Sequence, residues 1–237
     1  MVVPRLLTGG ALLLALIGSA QARPSLDAAR LDALGHYEVL TFNDPAGGGI
    51  DRGKAIGVID ATTEEVFRIA TDYARYADFM PRVIASQVKE AAKDHALVEI
   101  TADLHWPAGV STVTARYRYQ KLPGETYRVS FDKVDGSLKQ YVGALYIEPF
   151  APGKTAITYE LVAVPDTIAP KSAINRGVRR SAGNFVHALR QRINELHRMG
   201  YLHPLAPPSP TKPRSALVAT PAAPLPLNDP TSLKAHR

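Results

Sequence analysis

The sequence predicts an α+β domain. A curved antiparallel β-sheet wraps around one long C-terminal α-helix, and two short helices follow the opening strand or hairpin. Three observations carry this expectation. Between residues 83 and 164, apolar and polar residues alternate in successive runs joined by tight turns, the pattern of antiparallel strands with one buried face. From 170 to 199 the period changes. Ile174, Val178, Ala182, Phe185, Leu189, Ile193 and Leu196 recur at steps of three and four, forming one apolar stripe on a helix. A sheet with one apolar face needs a cover, and this helix has a stripe to match. A strongly curved sheet gripping a single helix leaves a cavity between them.

The elements follow in order. Residues 37–43 alternate, Asp44 to Gly49 break the run with one proline and three glycines, and residues 54–59 resume it. That segment reads as a strand, a flexible turn and a second strand. Thr62 or Thr63 caps the first helix, whose opening turn carries Glu64 and Glu65 at the positive end of the helix dipole. A second short helix runs through Ala77 and stops near Met80 and Pro81. A short run at 83–90 precedes five longer ones. Their inward faces hold Val98, Ile100, Ala102, Leu104 and Trp106; then Val113, Ala115, Tyr117 and Tyr119; then Tyr127, Val129 and Phe131. The last two hold Tyr141, Gly143, Leu145 and Ile147, and Ile157, Tyr159 and Leu161. Pro-Gly or Asp-Gly steps at Pro123, Asp135 and Pro152 supply tight connections. On the long helix, Gly177 and Gly183 mark a kink or a close approach to the sheet.

Neither end reads as core. Residues 1–22 have the form of a secretory signal: Arg5, an uncharged stretch from Leu6 to Ile17, and the small-x-small step Ala20-Gln21-Ala22. The stretch is shorter than the roughly 20 apolar residues that cross a bilayer. The expected mature protein starts near Arg23 and is periplasmic or secreted. Residues 200–237 hold nine of the chain's 19 prolines and few large apolar side chains, so they are expected to be a disordered tail. The tail is a spacer or a ligand for a partner groove. The folded unit then spans residues 34–199.

Composition excludes several classes of chemistry. The chain has no cysteine, which removes disulfides, thiolate nucleophiles and iron–sulfur clusters. Its net charge is +6, which permits contact with an anionic lipid surface without demanding it. The seven histidines show no close metal-ligand spacing; Asp103 and His105 share an outward strand face. No Gly-x-Ser-x-Gly string is present, and Gly47 to Gly49 lie between strands, not before a helix as a phosphate cradle requires. No aromatic-basic string of the nucleic-acid type occurs. No metal, cofactor or nucleic acid is expected.

Three strings resemble the START-like, helix-grip superfamily, and within it the polyketide-cyclase and coenzyme-Q-binding group. They are GVIDATTEEVF at 57–67, DYARYADFMP at 72–81, and LYIEPF at 145–150 followed by TAITYEL at 155–161. Leu145 departs from the pattern, standing where many relatives carry a tryptophan. The resemblance implies a hydrophobic ligand cavity under the C-terminal helix and members that bind lipids, quinones or polyketides.

The expected ligand-binding residues are Trp106, Tyr117, Tyr119, Phe131, Tyr141, Leu145, Ile147, Tyr159, Phe185 and Leu189. The tyrosine hydroxyls would give an apolar pocket a few polar handles. Lys171, Arg176, Arg179, Arg180, Arg190 and Arg192 form the polar face of the last helix, either attracting anionic headgroups or lying solvated against acids. The leading expectation is an exported, non-enzymatic binder of a lipid or quinone-like molecule, touching membrane surfaces transiently. One alternative is a cyclase or aromatase with Tyr117, Tyr119 or His187 moving protons. Another is an interaction module that presents the proline-rich tail.

Overall fold

The computed structural model describes residues 28–104 and 109–202. The expectations for the signal, Trp106, His105 and the proline-rich tail therefore fall outside the described residues. The element order is α1 (Ala28–Gly35), β1 (Leu40–Gly47), β2 (Ile50–Ile59), α2 (Thr63–Ala70), a 3-10 turn (Tyr73–Arg75) and α3 (Tyr76–Phe79). Then come β3 (Val83–Ala91), β4 (His95–Asp103), β5 (Val110–Leu122), β6 (Thr126–Gly136), β7 (Leu138–Ala151), β8 (Lys154–Pro165) and α4 (Lys171–Arg198). All pairings are antiparallel, and the strands lie in the order β1-β2-β8-β7-β6-β5-β4-β3. This is the expected helix-grip architecture. The strands from β3 to β8 form a meander, and the opening hairpin closes onto its last strand.

The sequence explains where each element starts. Thr62 is the α2 cap: its hydroxyl accepts from the Glu65 amide at 3.2 Å, while the Glu65 carboxylate accepts from the Thr62 amide at 2.9 Å. Thr62→Ala should cost about 1 kcal/mol of stability and lower the melting temperature by roughly 2–4 °C. A thermal melt reads this directly.

The helix seats on the sheet through small residues. A side chain at Gly53 would place its Cβ 2.7 Å from the backbone of Val178 and Arg179. One at Gly57 would lie 2.6 Å from the Val186 side chain, and one at Gly183 would lie 2.9 Å from Thr41. Gly183 thus marks a close approach. Gly177 meets nothing within 4 Å. The glycine turn after β1 also holds the helix: Lys171 donates to the Gly48 carbonyl at 2.7 Å, and Asn175 accepts from the Asp51 amide at 3.0 Å. Further along, half-buried Arg190 donates to the carbonyls of Val58 and Tyr37 at 3.0 and 2.8 Å.

The alternation predicted only one buried face. A smaller cluster lies on the other side of the sheet, where Leu34 of α1 packs with Ile56 and Val58 of β2. No reading of the sequence anticipated α1.

Candidate functional site

The expected cavity is present beneath the N-terminal half of α4, with a volume of about 500 Å³. Alternation along the strands selects which side chains face it, and α4 decides how far it extends. At one end α4 bears down on the sheet. Ala182, Val186, Leu189 and Ile193 are fully buried there against Ile59, Ile147 and Ile157. Towards its N-terminus α4 still lies on β2, with the Val178 backbone against Gly53, and Ala173, Ile174, Gly177 and Val178 form the roof over the remaining strands. Leu138, Tyr141 and Leu145 of β7, and Tyr159, Leu161 and Ala163 of β8, form the floor. Tyr73, Tyr76 and Met80 close one side.

Of the ten expected residues, the fold brings six to this cavity: Tyr117, Phe131, Tyr141, Leu145, Tyr159 and Phe185. Three lie elsewhere. Ile147 and Leu189 are on the predicted faces but at the closed end, in solid core. Tyr119 packs edge-on against Phe67 with ring centroids 5.6 Å apart, beyond the cavity. Trp106 is among the residues not described. Of the proposed proton-transfer groups, only Tyr117 lines the cavity; His187 is exposed on α4.

The aromatic residues form a continuous band across the cavity base. Tyr73 lies 4.4 Å from Tyr117, Tyr117 5.3 Å from Phe131, Phe131 5.0 Å from Tyr141, and Tyr159 stacks on Phe185 at 4.0 Å. Register builds the band. Tyr117 faces Phe131 across β5 and β6, and Phe131 faces Gly143 across β6 and β7. A Cβ at Gly143 would lie 2.5 Å from the Phe131 ring, so the glycine makes room for it.

The hydroxyls of Tyr117 and Tyr141 are 3.3 Å apart and share a hydrogen bond. Two protons serve this one bond, so one O–H of the pair is left for an acceptor on a bound molecule. Burial pushes the phenols of Tyr73, Tyr76, Tyr117 and Tyr159 well above their ordinary range, and that of Tyr141 upward. They are neutral donors at physiological pH and poor bases.

Charge is confined to the rim. Arg82, Arg176 and Arg180 line the cavity and are also solvent-exposed, which marks them as the mouth. No carboxylate lines it among the described residues. Arg82 has a φ of +69°, left-handed for a residue with a Cβ, and donates to the Leu104 carbonyl at 3.3 Å. The sequence reading missed Arg82, Gly177 and the apolar residues Ile100, Val113, Leu138 and Leu161 as lining groups. Their alternation was visible for Ile100, Val113 and Leu161, and their position along the strand was not.

Solved structures share the architecture. The STAR-related lipid transfer protein from Xanthomonas axonopodis superposes with a TM-score of 0.60 at 17% identity, over 66% of this chain and 93% of that one. Human StAR-related lipid transfer protein 5 gives 0.55 at 11% identity, covering 66% and 88%. The Zhui aromatase/cyclase from a Streptomyces species gives 0.53 at 12% identity, covering 63% and 96%. Comparison with curated proteins returned no match. At these identities the likeness speaks for the START-like fold alone. The family described as polyketide cyclase / dehydrase and lipid transport matches residues 57–194, more than half of the sequence. With the fold and the cavity that this match spans, the chain belongs to the polyketide cyclase / dehydrase and lipid transport family.

Proposed function

We propose that the protein is an exported carrier of a hydrophobic small molecule, lipid- or quinone-like, held between the sheet and α4. The observation that carries this reading is the apolar cavity, whose volume falls within the roughly 300–1,000 Å³ of small-molecule sites. Its interior offers burial of apolar ligand surface, at about 25 cal/mol per Å², and a neutral phenol to orient one oxygen. Tyr117, Phe131, Tyr141, Leu145, Tyr159 and Phe185 are the proposed contacts. Export rests on the character of residues 1–22, and a mature N-terminus near Arg23 in protein recovered from the cell envelope or medium would test it. Fully exposed Ile168, in the segment that joins β8 to α4 beside the mouth, suits transient contact with a membrane surface.

Organic extraction of the purified protein, followed by mass spectrometry, should recover a lipid-like species. Gly177→Phe adds a ring at the open roof and improves helix propensity. That variant should fold at least as stably and lose the extracted species. Recovery of nothing from the parent, together with no binding of hydrophobic dyes, would refute the carrier reading.

A further inference from the structure

The arginine face of α4 divides into two parts. In the C-terminal half, Arg190 bonds to backbone carbonyls and Arg192 pairs with Glu195 at 2.8 Å. Elsewhere buried Lys54 pairs with Glu160, and on the surface Lys89 pairs with Glu99 and Lys139 with Asp166. Arg176 and Arg180 have no such partner among the described residues. They are one turn apart on one helix face, where like charges repel. Arg82 brings a third guanidinium to the cavity from a left-handed backbone position, a conformation that persists only where surrounding structure holds it. Among the described residues, three cations therefore border the opening with no acid beside them, in front of an interior that contains no charge.

We propose that the cavity receives an oxyanion-headed amphiphile, its carboxylate or phosphate held at the mouth by Arg176, Arg180 and Arg82 and its apolar body inside. Guanidinium groups suit this role because each binds such a head through paired N–H donors. An anion there also relieves the repulsion between Arg176 and Arg180. The inference rests on the carrier reading and adds the chemical class of the ligand.

The test compares palmitate, hexadecyl phosphate and hexadecanol, below their micelle-forming concentrations, by displacement of a fluorescent hydrophobic probe. The two anions should bind the parent protein tenfold or more tightly than the alcohol, since charge-assisted hydrogen bonds add at least that factor. Added salt should weaken the anions and leave the alcohol unchanged. Arg176→Gln with Arg180→Gln should abolish the preference while alcohol binding persists, which also shows that the variant is folded. Preference for palmitate alone or hexadecyl phosphate alone would support the proposal and name the head. Equal affinity for all three, or a preference that survives the double substitution, would overturn it and leave the carrier reading standing. Failure of all three to bind the parent would overturn both.

Discussion

Gly53→Ala should lower the unfolding free energy by about 3 kcal/mol, enough to reduce the melting temperature by roughly 6–12 °C. The added methyl would lie 2.7 Å from the carbonyl carbon and oxygen of Val178 and the nitrogen of Arg179. These are backbone atoms of a 28-residue helix and cannot rotate aside as a side chain would. Relief requires α4 to lift off β2, which separates Val178, Ala182 and Val186 from the core. Gly177→Ala, on the same helix, should have the opposite sign. Its Cβ meets nothing, so only the helix preference of alanine acts, a gain of about 1 kcal/mol. Urea titration of the two variants beside the parent checks both signs. A neutral Gly53→Ala would mean that the helix does not sit on the strand as described.

Stability should also fall steeply in alkali. Burial raises the folded-state affinity of Tyr73, Tyr76, Tyr117 and Tyr159 for their protons well above that of an exposed phenol. Below pH 10 both states hold these protons, and the native advantage is complete. Above pH 10 the unfolded chain releases them while the native state keeps them, so the native state binds more protons and stability falls as pH rises. Each such group contributes about 1.4 kcal/mol per pH unit, and four together roughly 5 kcal/mol per unit. A domain of ordinary stability, about 5–15 kcal/mol, should then unfold within one to three units above pH 10. Tyrosinate absorbance should rise in two stages, exposed phenols first and buried ones in a cooperative step that coincides with loss of circular dichroism. A single smooth titration of all 10 tyrosines with the secondary structure intact would contradict the buried cluster.

Much of this architecture was legible in the sequence because two periods and one composition signal encode it. The step of two in β4 to β8 and the steps of three and four in α4 identify the buried faces, and Thr62 with Glu65 identifies the start of α2. Depth along an element is another matter. Ile147 and Leu145 share a face, yet one is core and the other cavity wall, because the C-terminal half of α4 fills the space over Ile147 while the space beside Leu145 stays open. Periodicity reports direction and contains nothing about that distance. The mouth was illegible for a related reason. Six basic side chains look alike in sequence, and only the three-dimensional arrangement separates Arg190 and Arg192, satisfied by protein groups, from Arg176 and Arg180. Helix α1 escaped notice because it is only eight residues long and, among its described side chains, Leu34 is the one that joins a core cluster.

The pairing of β2 with β8 has a kinetic consequence. Gly53 finds Leu161, and Ile59 finds Thr155, across most of the length of the domain. Hairpins from β3 onward can zip locally, but the first hairpin has no neighbour to join until the last strand has been synthesised, and α4 follows later still. Contacts so distant in the chain slow folding and place closure of the cavity among its final events. A nascent chain stalled before β8 should remain open to proteases along β2, and release of the remaining residues should abolish that sensitivity in a single late phase.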